Sequence, residues 1–169
     1  SWSSEGVSLP QQAAAGGGAW VQLPRQHGSC SVPLQREPGM ASCAAQPRQP
    51  VVITSLGAGV WRLGNGLIDL DVSAVGLMAL RDRDGRNQLS SPLQLERYRD
   101  CGEFWDAWDL AADYRSQPLG VLGTDSLEWL DQGPLVAHLV LRRQLGASCM
   151  RLDLRLKADT PWLELICGI

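Results

Sequence analysis

The chain has 169 residues, 44% of them hydrophobic, and a formal net charge of −3, which suits one core burying about 70% of the unfolded surface. Its 15 Lys and Arg are spread along the chain, so there is no basic field to hold phosphates and nucleic acid is not an expected partner. No apolar run reaches the roughly 18–20 residues that cross a bilayer as a helix, so no membrane partner is expected. Eighteen Gly and ten Pro beside many Leu and Val favour short strands joined by turns.

The five cysteines, Cys30, Cys43, Cys101, Cys149 and Cys167, are odd in number and irregularly spaced, so a complete disulfide framework within the chain is not expected. There is no Asn-X-Ser/Thr acceptor; reduced thiols and a cytoplasmic location are the expectation. The chain opens on Ser1-Trp2-Ser3 without an initiator Met, and the apolar run Trp162–Ile169 meets the last residue. Both ends therefore read as cuts, with partner strands expected beyond Ile169.

Residues 11–18, QQAAAGGG, are too small-sided to fix a conformation and read as a partly flexible loop or insertion. No clear periodicity follows over 29–50, and in this first third of the chain a few irregular strands are expected around Trp20–Leu23 and near Pro33. The chain thus divides into an irregular part, 1–49, and a more regular part, 50–169.

In the second part, Val51–Leu56 is β-branched, and Asn65-Gly66 separates Val60–Leu63 from Leu67–Val72, a strong hairpin signal. Ile68, Leu70 and Val72 alternate with Asp69 and Asp71, the pattern of a half-buried strand with carboxylates on its outer face. Gly76 opens Leu77–Leu80, and Asp84-Gly85 supplies the next turn. Later, Met150, Leu152, Leu154 and Leu156 alternate with charged residues, whereas a helix would scatter them. Leu135, Ala137, Leu139 and Leu141 share a face before it, and Gly146 between the two runs predicts an antiparallel pair. The fold class is mainly β, an antiparallel sandwich.

Cys101–Tyr114, CGEFWDAWDLAADY, holds the only Phe, two of seven Trp, one of two Tyr and four carboxylates. Aromatic faces pack on the C–H side of a pyranose and carboxylates accept from its hydroxyls, so Trp105, Asp106, Trp108 and Asp109 suit a saccharide. The same residues suit plain packing, with both Trp in a core or interdomain contact and both Asp capping a turn. The three-residue spacing of Asp106 and Asp109 aligns them only on a helical turn, so it does not define a catalytic pair.

His27 and His138 lie far apart, and there is no His-X-His, Cys-X-X-Cys or His-Glu-X-X-His, so no metal site and no catalytic residue is expected within the chain. His138, between Val136 and Val140 on a strand, reads as a satisfied structural imidazole. Gly-X-Ser-X-Gly is also absent, and Gly64-Asn65-Gly66 is a turn.

Over residues 63–109 the succession LGNGLIDLDVSAVGLMALRDRDGRNQL, LQLERYRD and FWDAWDLAADY resembles the glycoside hydrolase family 38 α-mannosidases. Trp105-Asp106-Ala107-Trp108-Asp109 is the most specific part of the resemblance, and QQAAAGGG departs from it. The resemblance implies a portion of a galactose mutarotase-like supersandwich, incomplete at both ends, in an enzyme hydrolysing terminal α-D-mannosides with retention. It places the carboxylate nucleophile and the zinc ligands in an N-terminal catalytic domain, outside this chain. The implied partners are that domain, the remaining β domains and a mannose-containing glycan; a site role for Trp105, Asp106, Trp108 and Asp109 would be to shape the cleft. Two other classes fit the residues: a freestanding carbohydrate-binding sandwich, and an interdomain sandwich without ligand contact.

Overall fold

A computed structural model describes residues 1–24, 31–36, 45–101 and 110–169. In chain order its strands are β1 (Trp2–Ser4), β2 (Val7–Ser8), β3 (Gln11–Ala13), β4 (Ala19–Val21), β5 (Gln35–Arg36), β6 (Val52–Gly57), β7 (Val60–Gly64) and β8 (Asp69–Ser73). There follow β9 (Gly76–Arg81), β10 (Leu93–Gln94), β11 (Glu96–Tyr98), β12 (Pro118–Val121), β13 (Ser126–Gln132), β14 (Val136–Leu145), β15 (Ser148–Lys157) and β16 (Leu163–Gly168). A short 3-10 turn at Tyr114–Ser116 is the one helical element among the described residues.

Two antiparallel sheets carry the core. One has the order β10-β9-β8-β7-β6 and the other β13-β14-β15-β16. Their apolar faces meet in one cluster: Leu63, Leu70, Val72 and Leu77 from the first, Leu139, Leu141, Leu154 and Leu156 from the second. The fold is the expected mainly β sandwich. Trp61 and Trp129 close the core edge to face, centroids 6.2 Å apart at 77°, the geometry that an aromatic quadrupole favours.

The alternating runs fall where their periodicity places them. Leu70, Val72, Leu154 and Leu156 are fully buried, Ile68 and Leu152 pack against the cluster, and Met150 is buried outside it. β14 and β15 pair from Val136↔Lys157 to Leu145↔Ser148, turning at Gly146 in the left-handed region (φ 61). Gly76 has a different reason to be glycine: a Cβ there would meet Leu93 O at 2.3 Å, so the β9–β10 pairing needs the bare backbone.

Asn65-Gly66 lies in a four-residue connection between β7 and β8. Asn65 Oδ1 accepts from the backbone N–H of Leu67 (3.0 Å) and Ile68 (3.1 Å), which builds the turn. Its Nδ2 donates to Lys157 O and Thr160 O, both at 2.8 Å, and so bolts the turn to the end of β15 in the facing sheet. At 2% exposure this side chain has little access to water, and all four bonds matter.

Within residues 11–18, Gln11–Ala13 form a strand where a loop is expected, and 14–18 make the turn that follows it. β3 and β4 pair from Gln11↔Val21 to Ala13↔Ala19, and the reason lies in the Gln side chains. Gln12 Oε1 accepts from the N–H of Leu135 and Val136, both at 2.8 Å, and its Nε2 donates to Val136 O at 3.0 Å. A side-chain amide thus stands in for a strand partner and docks the hairpin on the sandwich.

Candidate functional site

Trp105, Asp106, Trp108 and Asp109 lie outside the described residues, as do His27, Cys30 and Cys43. The chain on either side of the Trp-Asp segment forms a paired ribbon. β11 and β12 pair with a register shift between Arg97 and Tyr98, and Arg99 N–H extends the ladder to Gln117 O at 2.9 Å. Asp100 Oδ1 then accepts from Ala111 N–H at 3.0 Å, tying the entering chain to the leaving one. Tyr98 and Tyr114 meet edge to face at 5.4 Å and 84°, and Arg115 covers the Tyr114 ring at 5.6 Å. The neck of the segment is therefore fixed by one carboxylate and two rings, with its end residues Cys101 and Leu110 exposed.

The carboxylates expected to face water on β8 do so only at Asp69, which is half-buried; Asp71 is 8% exposed. Arg62 from β7 binds it through Nε (2.7 Å) and Nη2 (3.0 Å), and Arg81 from β9 through Nη2 (2.7 Å). Two neighbouring strands thus supply the charge that permits its burial. Arg62 holds the carboxyl at about 2, below its ordinary 3.8, with Arg81 assisting and burial opposing.

His138 is the buried, satisfied imidazole that its strand position suggests. Its Nε2 lies 2.6 Å from Asp153 Oδ1, and its Nδ1 faces Asp131 Oδ2 at 3.7 Å. Arg151 clamps Asp153 through Nε and Nη2, both at 2.7 Å, while Asp131 Oδ1 accepts from Ala15 N–H at 3.1 Å. Arg151 keeps the Asp153 carboxyl at about 2 against the effect of burial, and His138 adds to it.

These two carboxylates set an acid limit on stability. Their folded pKa values lie below the unfolded ones, so their contribution is complete above about pH 5 and is lost as pH falls through about 2. Each is worth about 2 kcal/mol. Urea unfolding should show a falling midpoint between about pH 5 and pH 2, and Asp71→Asn should remove roughly half of that slope. An unchanged slope in the variant would contradict the Arg62–Asp71–Arg81 assignment.

Among the described residues no group of three or more His, Cys, Asp or Glu side chains is placed to hold a metal ion. At His138 both ring nitrogens face carboxylates, and Arg151 puts a guanidinium where a dication would be repelled. Zinc does not fit this donor set, and no step of zinc chemistry falls to these side chains. Cys101, Cys149 and Cys167 are exposed free thiols.

Residues 63–169 match the family model described as glycosyl hydrolases family 38 C-terminal domain. The chain belongs to glycosyl hydrolase family 38. No curated protein matches it. In this family 38 domain the matched region begins in β7, takes in the whole four-stranded sheet, and includes both the neck at Asp100–Ala111 and the Trp-Asp segment between them. The parent activity is therefore that of a glycosidase.

Proposed function

We propose that this family 38 domain is the C-terminal β region of an α-mannosidase that removes terminal α-D-mannose from glycans with retention of configuration. The observation that carries the reading is the family 38 C-terminal match over 63–169, joined to the aromatic and carboxylate content of 104–109. In this reading the nucleophilic carboxylate, and the zinc of the complete enzyme, belong to a separate catalytic domain. Retention needs a carboxylate nucleophile and an acid/base about 5–5.5 Å apart, a pair that this reading assigns to the catalytic domain. The isolated domain is inert; its partners are the catalytic domain, further β domains of the enzyme and a mannose-containing glycan. Three exposed thiols and the lack of glycosylation sequons suit a cytoplasmic enzyme.

In this reading the role of the Trp-Asp segment, whose flanking residues Asp100, Tyr98 and Tyr114 are fixed, is to shape the sugar cleft. Trp108→Ala removes a packing face and Asp106→Ala a hydroxyl acceptor, each worth about 1–3 kcal/mol in the transition state. In the complete enzyme kcat/KM for an aryl α-mannoside should fall accordingly, with the melting temperature unchanged. A lower melting temperature with intact kinetics in the folded fraction would instead assign the segment to interdomain packing.

A further inference from the structure

A cavity of about 340 Å³ opens where the β3–β4 hairpin meets the end of β15. Trp20, Leu135 and Val136 give it an apolar wall, and Gln22, Lys157 and Asp159 bring polar groups to it. A second cavity, lined in part by Arg48, shares Gln22 and Asp159 with the first, so the two adjoin at one carboxylate. The smaller cavity has the size of a small-ligand site.

Asp159 is held in place to an unusual degree. It occupies the left-handed region at φ 55 without being glycine, a conformation that persists only where surrounding contacts impose it. Its Oδ1 accepts from Gln49 N–H at 2.9 Å and its Oδ2 from Gln22 Nε2 at 2.6 Å. Its own N–H donates to Gln49 O at 3.2 Å. Each carboxylate oxygen keeps a further lone pair for a hydroxyl donor. Trp20 lines the cavity, while its indole N–H is buried and has no acceptor among the described residues. Lys157 is paired with Glu164 at 2.5 Å, so among the described residues this lining offers no unpaired cation to attract a phosphate or carboxylate ligand.

An aromatic wall, a fixed carboxylate, amide groups and the lack of an unpaired cation together match an uncharged, polyhydroxylated ring. We propose that this cavity binds one neutral hexopyranose unit of a glycan, with Asp159 accepting from its hydroxyls and Trp20 against its C–H face. The choice of a sugar of the mannose type rests on the function proposed above; the cavity and its chemistry stand on the geometry alone.

The test uses the complete protein, labelled with 5-fluorotryptophan, with the Trp20 resonance assigned through Trp20→Phe. Methyl α-D-mannopyranoside should shift that resonance with an apparent Kd of about millimolar order. Asp159→Asn should weaken the shift at least about fivefold. Asn tolerates the left-handed backbone and keeps an acceptor for Gln49 N–H, so the loop conformation should survive, as the melting temperature will report. Lys157→Met, which leaves that loop untouched, should weaken binding as well. A Trp20 resonance unmoved by the mannoside and by the matching glucoside, or a shift unaffected by both substitutions, overturns the proposal. Hydrolysis of an aryl α-mannoside is followed in the same preparation. Hydrolysis with a silent Trp20 sinks the cavity proposal alone. A Trp20 response to glucoside in a protein that cleaves no mannoside upholds the cavity and sinks the mannosidase reading.

Discussion

Asn65→Asp is expected to destabilise the domain by about 4 kcal/mol at neutral pH, although it changes a single atom. Asp can still accept from Leu67 and Ile68 and so preserve the turn. It cannot supply the amide donor that now satisfies Lys157 O and Thr160 O. At 2% exposure an ionised carboxylate would face two carbonyl oxygens in a dry seam, where unpaired polar groups cost about 1–3 kcal/mol each and charges more. The new carboxyl should therefore have a raised folded pKa. With that sign, the part of the destabilisation due to the charge is absent below the unfolded value near 4 and grows as pH rises. Urea unfolding at about pH 7 and pH 4 measures both the loss and its partial recovery in acid. Equal losses at the two pH values would contradict the two-carbonyl geometry.

Asp153→Ala should cost about 3 kcal/mol at neutral pH. The carboxylate is 4% exposed and lies between His138 and Arg151, so its removal leaves buried polar groups without their counter-charge. Part of the Arg151 guanidinium reaches water, its side chain being 41% exposed, which holds the cost below that of a fully dry ion pair. A double-mutant cycle with His138→Leu should show coupling above about 1 kcal/mol, because the second substitution removes the group that the first one stranded. Additive losses would contradict the His138–Asp153 pairing. Chemical denaturation of the four proteins is the measurement.

The parts of this fold that sequence made legible are those whose physics is local. Alternation along Met150–Leu156 forces one burial choice, because a register slip of one residue would turn Leu154 and Leu156 outward. Gly146 marks the turn before it for the same local reason. What was hidden depends on groups distant in sequence. Asp71 alternates as an outer-face residue, yet Arg62 and Arg81 from the flanking strands cover it. Asn65 reads as a turn residue, and nothing nearby announces that its amide reaches Lys157 and Thr160 across the sandwich. Gln12 sits in a featureless run, and its partners Leu135 and Val136 lie more than a hundred residues away. Asp159 follows the end of the β15 alternation, the one local hint that the chain stops being a strand there; its positive φ and its clamp by Gln22 and Gln49 have no sequence signature. The Trp-Asp segment is the opposite case: its composition stands out, while the structure describes its neck and not the segment.

Membership of glycosyl hydrolase family 38 underlies the proposal that this domain serves an α-mannosidase. The direct measurement is kcat/KM of the complete protein on 4-nitrophenyl α-D-mannopyranoside beside the corresponding α-glucoside and α-galactoside. Turnover of the mannoside in clear preference to the other two is the expected result, and hydrolysis of another glycoside with the mannoside left intact would contradict it.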